Sequence, residues 1–205
     1  GSGLGNYSIS YVNGSFSVSK APLTFTADNK TKEFKASVPA LTFTTSGFVN
    51  SESESILDVL PVAATTADLN SPVGTYPITL TGGSDNNYTF VFVNGILTIT
   101  KISQAITFSA IPEKLLVKDS YTLGASSTSG LTVTFESLDP QFATVSGNVV
   151  TGVSSGNARI KAYNNGDLNY SSSEIAGIIE IYSTHKNIMN LFTPNNDGIN
   201  DYWEL

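Results

Sequence analysis

Apolar and polar side chains alternate on both sides of an Asn-Gly pair in residues 88–100. Phe90 and Phe92 precede Asn94-Gly95 on one face, and Leu97 and Ile99 follow on it; Thr89, Val91, Thr98 and Thr100 take the other. Side chains alternate across a strand, so a period of two predicts two strands with one buried face. Asn-Gly readily takes φ > 0 at both centres of a type I′ turn, which predicts a hairpin pairing Phe92 with Leu97 and Phe90 with Ile99. The same division occurs near the start of the chain. Ile9, Tyr11, Phe16 and Val18 share one face and Ser8, Ser10, Ser17 and Ser19 the other, around Asn13-Gly14. One apolar and one polar face suits an antiparallel sheet packed on a single side.

The two stretches are copies of one another. Asn6-Tyr7 corresponds to Asn87-Tyr88, Val12-Asn13-Gly14 to Val93-Asn94-Gly95, and Lys20 to Lys101. A spacing of about 80 residues is a domain-sized period and predicts tandem modules. Residues 1–20 read as the terminal hairpin of a truncated preceding module, and residues 21–101 as a complete one. A hairpin alone is marginal in water, so the first copy needs a surface from elsewhere.

Within 21–101, Leu23 and Phe25 alternate in a first strand, and Leu41-Thr42-Phe43-Thr44 predicts a second. Val62-Ala63-Ala64-Thr65 predicts a short strand, and Thr75-Tyr76-Pro77-Ile78-Thr79-Leu80 another. Pro77 has no N–H to donate, which places that strand at a sheet edge. Ser51-Glu52-Ser53-Glu54 has the spacing of a capping box, and Pro61 stops any continuation. Together they predict one short helix over residues 51–58, with Ile56 and Leu60 laid on the sheet.

Residues 102–182 again alternate in short runs, at Ala105-Ile106-Thr107-Phe108, Val133-Thr134-Phe135 and Ala158-Arg159-Ile160-Lys161-Ala162. Turn residues separate them, at Ser146-Gly147-Asn148 and Asn164-Asn165-Gly166-Asp167 among others. Many short strands at close spacing predict a sandwich, with Phe108, Leu123, Val133, Phe135, Val145 and Ile160 as its core. Residues 183–190 read as a linker.

Composition narrows the function classes. The net charge is −7 and the pI about 4.5, which argues against nucleic acid, since that partner needs a clustered basic surface. No apolar run reaches the ~18 residues of a membrane span. Cysteine is absent, which excludes disulfides and thiolate chemistry.

Several motifs carry a resemblance. Leu41-Thr42-Phe43-Thr44-x-Ser46-Gly47-Phe48-Val49-Asn50, Ser71-Pro72-Val73-Gly74-Thr75-Tyr76-Pro77-Ile78, Asn87-Tyr88 and Val93-Asn94-Gly95-x-Leu97-Thr98-Ile99-x-Lys101 resemble the MBG-type repeats of large bacterial surface proteins. Where that family usually has Lys-x-Tyr-Gly or Lys-x-Tyr-Asp, this chain has Lys32-Glu33-Phe34-Lys35. Its usual Asn-Gly-Asp is Asn50-Ser51-Glu52 here. The resemblance implies a β-rich module with one short helix, grasp-like in arrangement, used as a spacer in adhesins and without catalysis. Ser137-x-Asp139-Pro140, Ala143-Thr144-Val145-Ser146-Gly147-Asn148 and Gly156-x-Ala158-x-Ile160-x-Ala162 resemble the bacterial Ig-like family. The expected fold is thus mainly β, an MBG-type module over 21–101 followed by an Ig-like β-sandwich over 102–182.

The last stretch is Leu191-Phe192-Thr193-Pro194-Asn195-Asn196-Asp197-Gly198-Ile199-Asn200-Asp201-Tyr202-Trp203. It resembles the opening of the gliding-motility-associated C-terminal domain, making residues 191–205 the beginning of a sorting domain. The resemblance implies type IX secretion machinery as a partner, through the complete domain.

Candidate chemistry is sparse. Asn195, Asp197, Asp201 and Glu204 put oxygens around Gly198, as a calcium loop requires. The bland alternative is a turn, in which Asn and Asp cap their own backbone. His185 is the one histidine and lies in the linker, which leaves no partner for a catalytic triad. Glu52, Glu54 and Asp58 read as a solvated helix start, and Lys20 and Lys101 as matching strand ends open to an isopeptide bond only beside a buried acid. No catalytic residue and no cofactor other than calcium is expected.

The expectation is a non-catalytic stalk of a secreted or cell-surface bacterial adhesin. The alternatives are a module that binds surface glycan or a host protein, and an accessory region of a secreted enzyme. For the calcium reading, calorimetric titration should give heat with a millimolar midpoint or tighter; no heat at millimolar calcium removes the site.

Overall fold

The computed structural model describes Ser8, Ser10 and residues 12–184, and the chain divides into two compact units, residues 1–101 and 102–205. The first unit contains β1 (Ala21–Ala27), β2 (Lys30–Glu33), β3 (Phe43–Ser46), β4 (Val62–Thr65), β5 (Gly74–Thr81), β6 (Tyr88–Val93) and β7 (Gly95–Thr100). They form two sheets, ordered β3-β1-β6 and β2-β7-β5-β4. Leu23 and Phe25 of β1 are fully buried, as are Ile78 of β5 and Leu97 of β7. The Phe25 ring lies 4.6 Å from that of Phe90 and 5.5 Å from that of Phe43, so aromatic packing fills the core under β1.

The face division around Asn94-Gly95 holds, but the hairpin does not form. Strand β6 pairs in parallel with β1, and β7 pairs in parallel with β2 and antiparallel with β5. Neither Asn94 nor Gly95 has positive φ. The chain crosses there from one sheet to the other, so Phe90 and Leu97 line one core from separate sheets. Glycine is required for a different reason: a Cβ on Gly95 would lie 2.6 Å from the Ala27 carbonyl oxygen. The primed turn occurs elsewhere, at Asn50-Ser51. Both residues have positive φ (54° and 60°), and the Glu52 N–H donates to the Val49 carbonyl at 3.0 Å.

The expected helix over 51–58 reduces to one 3₁₀ turn, Glu54–Ile56, with no buried residue and no side-chain cap. Its carboxylates are engaged elsewhere: Glu54 accepts from Thr45 Oγ1 at 2.8 Å, and Glu52 from the Tyr88 hydroxyl at 2.5 Å. Ile56 and Leu60 are exposed rather than laid on a sheet. With two facing sheets and no helix across either, the grasp-like arrangement is replaced by a sandwich.

Pro77 lies in an interior strand, contrary to the edge expectation. Its opposite residue on β7 is Ile96, whose N–H donates to Asn29 Oδ1 instead. Opposed residues in an antiparallel ladder exchange both hydrogen bonds or neither, so the proline nitrogen faces the β4 side. Strand β4 stops at Thr65 opposite Ile78, and Pro77 lies just past its end. The missing N–H therefore costs no ladder bond.

Residues 12–20 lie in no strand, and Phe16 is 91% exposed. The terminal hairpin thus does not form among the described residues, which offer its apolar face nothing to pack on.

The second unit contains β8 (Ile106–Ala110), β9 (Lys114–Leu116), β10 (Ser120–Thr122), β11 (Gly124–Ser127), β12 (Thr134–Ser137), β13 (Ala143–Ser146), β14 (Val149–Gly152), β15 (Gly156–Asn164) and β16 (Ser173–Tyr182). The sheets are β10-β14-β13, β12-β15-β16-β9 and the pair β11-β8. Ala158 and Ile160 on β15 and Ile179 and Ile181 on β16 pack with Ala143, Val150, Leu115 and Leu123 in one core. Of the expected core, Leu123 and Ile160 are buried, while Phe108, Val133, Phe135 and Val145 are partly buried.

Two substitutions test these backbone arguments by chemical denaturation. Ser51→Gly should stabilise the first unit by about 0.5–1 kcal/mol, since a left-handed residue loses its Cβ clash. Gly95→Ala should cost about 1–3 kcal/mol, because the added methyl meets fixed backbone.

Candidate functional site

The calcium candidates Asn195, Asp197, Asp201 and Glu204 lie outside the described residues, as do His185 and the 191–203 motif. Among the described residues, no group of three or more His, Asp or Glu is placed to hold a metal ion. Glu52, Glu54 and Asp58 are not brought together on one acid–base pair. Each accepts from its own partner, Tyr88, Thr45 and Asn86 respectively.

The structure does form a cleft of about 400 Å³ at the entry to the first unit. One wall is Val18, Ser19 and Lys20; the other is Val49, Glu52, Asn87 and Tyr88. Tyr88 is the pivot. It is 2% exposed, its ring meets Phe48 edge-on at 5.6 Å, and its hydroxyl accepts from the Val49 N–H at 3.0 Å while donating to Glu52. Burial raises the Tyr88 pKa, and the hydrogen bond to Glu52 raises it further, so the phenol stays protonated and remains a donor. Beneath it, Asp85 Oδ1 accepts from the Asn87 N–H at 2.7 Å and the Tyr88 N–H at 3.0 Å, closing an Asx turn. Lys20 Nζ donates to the Asp85 carbonyl oxygen at 2.8 Å. That partner is a main-chain carbonyl and not an Asn side-chain amide, so the contact is a hydrogen bond rather than a poised isopeptide link.

In the second unit, polar side chains hold loops. Asp139 accepts from the Arg159 N–H and Nε at 2.9 Å each, and from the second guanidinium nitrogen at 3.0 Å. These bonds hold its pKa well below the ordinary 3.8, at about 2. At the other end, buried Asn164 donates to the Thr132 carbonyl and accepts from Gln104 and the Gly166 N–H. Gln104 in turn accepts from Ser127 and Ser129 and donates to the Ser171 carbonyl. These contacts join loops to strands, and through Gln104 join the loops at Ser129 and Ser171 to one another. Sequence reading missed this network because Gln104 and Asn164 are 60 positions apart.

Residues 23–98 match the family model described as MBG domain (YGX type). Where the family pattern has Tyr-Gly, this chain has Phe34-Lys35, and Lys35 keeps the positive φ of 65° that a glycine would supply. No curated protein matches the chain in sequence. Among solved structures, the titin domains Z1Z2 in complex with telethonin are 15% identical, with 82% of this chain and 98% of that one covered and a TM-score of 0.37. Domains 4 and 5 of the S-layer protein SbsC are 14% identical, covering 68% and 85%, at a TM-score of 0.31. The fibronectin(III)-like modules of CbhA from Clostridium thermocellum are 12% identical, covering 76% and 90%, at 0.34. At such scores these likenesses carry no argument about function.

The Asp139 clamp predicts an acid response. A carboxylate with a depressed folded pKa stabilises above its unfolded value and loses that contribution as pH falls through the folded one. The second unit should therefore weaken between about pH 4 and about pH 2, the window set by 3.8 and about 2. Thermal melts of Asp139→Asn should lack this component; an identical pH profile would show that the clamp does not contribute to acid stability.

Proposed function

We propose that this chain is a non-catalytic spacer from a bacterial surface or secreted protein. The observation that carries the reading is the MBG-domain match over residues 23–98, in a chain whose sequence repeats the end of that module before it begins. The physical character of the molecule supports it. Each described unit has its own apolar core, and polar side chains of the cleft and loops are engaged with one another or with backbone. A module of this kind transmits position rather than chemistry. The 191–203 resemblance extends the proposal to export by type IX secretion and display at the cell surface, in an adhesin. Loss of the protein from the surface of host cells lacking that machinery is the expected result, and an unchanged surface level counts against it.

Small-angle scattering of the full chain tests the spacer reading. The expected result is an elongated, beaded particle with no hits on a glycan array. A compact globule, or a specific glycan hit, overturns it.

A further inference from the structure

We propose that the cleft at the entry to the first unit is a docking socket for a preceding copy of the repeat, with Lys20 as the latch of that junction. The proposal rests on the spacer reading and adds how such a spacer would be kept stiff.

The repeat sets the geometry. Lys20 corresponds to Lys101, and strand β7 runs Gly95–Thr100, so the matching strand of a preceding copy ends at Ser19. Strand β1 starts at Ala21. Lys20 alone therefore separates the last strand of one copy from the first strand of the next. One residue contributes only two soft backbone dihedrals. The side chain of that residue and the N–H of the next are tied to the same short loop. Lys20 Nζ donates to the Asp85 carbonyl at 2.8 Å, and the Ala21 N–H donates to the Asn87 carbonyl at 2.9 Å. The loop itself is rigidified by buried Asp85, which accepts from two of its N–H groups. A strand delivered through this point has little freedom to swing.

The surface around the latch has the character of an incomplete interface. Val49 faces the cleft and is 46% exposed. A Cβ added at Gly14 meets nothing within 4 Å, whereas at Gly95, its counterpart in the complete copy, it meets the backbone of Ala27 and Asp28. Residues 12–19 thus have the apolar alternation of a packed strand pair without the packing, and a complete preceding copy supplies it. Docked that way, the copy would end over Val49 and Tyr88. The ligand of this cleft is then a neighbouring module of the same polypeptide.

The test inserts a second copy of residues 21–101 between Lys20 and Ala21 of the full chain, so that the lysine ending the inserted copy takes the latch position. The chain has no cysteine, so Thr89→Cys, at an exposed site, introduced in each copy gives two unambiguous spin-label positions. Pulsed dipolar spectroscopy should give one narrow distance distribution. Replacing the junction lysine by methionine should broaden it, with the thermal midpoint retained, and arginine should restore it. A broad distribution with the lysine intact overturns the proposal, as does a narrow one that methionine leaves unchanged. If the distribution is broad while scattering still shows an extended particle, the latch fails and the spacer reading stands.

Discussion

Between Val93 and Gly95 the backbone leaves one sheet and enters the other, passing so close to the end of β1 that no side chain fits at Gly95. Much of the first unit depends on that crossing. It places β6 beside β1 and β7 between β2 and β5, so two strands adjacent in sequence face each other across the core instead of pairing. Phe90 then packs on Phe25 while Leu97 and Ile99 close the opposite sheet. A tight hairpin at the same place would have put all of these residues on one sheet and left the other without its interior strand.

Polar side chains serve the same end. Each unit buries few of them: Asp85 closes a local turn under Tyr88, and Asn164 joins Gln104 and Thr132, which are far apart in sequence. A buried polar group costs free energy unless it is hydrogen-bonded, so such groups persist where they define one arrangement of loops. Lys32 follows the rule in another way. Its stem is buried on β2, and its ammonium reaches the Ala36 carbonyl at 2.8 Å. The strand Lys-Thr-Lys-Glu carries no apolar residue, which is why its pattern predicted no strand at all.

The two departures from the family pattern both fall where this backbone has positive φ. Lys35 and Ser51 stand where the pattern has glycine, and both keep the left-handed conformation. The Ala36 N–H still closes its turn on the Glu33 carbonyl, and the Glu52 N–H closes its turn on that of Val49. The second of these turns carries Glu52 to Tyr88 and so builds one wall of the cleft. The cleft itself was illegible in the sequence, because its walls come from residues 18–21, 49–52 and 86–88, which no local pattern connects.

What the amino-acid order determines alone is local. Alternation assigned Leu23, Phe25, Phe90, Leu97 and Ile99 to the inner face, because a pleated strand must send successive side chains to opposite sides. It also exposed the repeat ending at Lys20 and Lys101. Pairing partners, sheet order, the fate of the capping-box residues and the tolerance of Pro77 were decided only in three dimensions. A strand's edge hydrogen bonds are the same for every sequence, so its neighbour is chosen by which faces the whole chain can bury together. The same alternating stretch therefore packs as two facing strands at 88–100, where β1 and β5 receive it, and lies exposed over residues 12–19, where no described surface does.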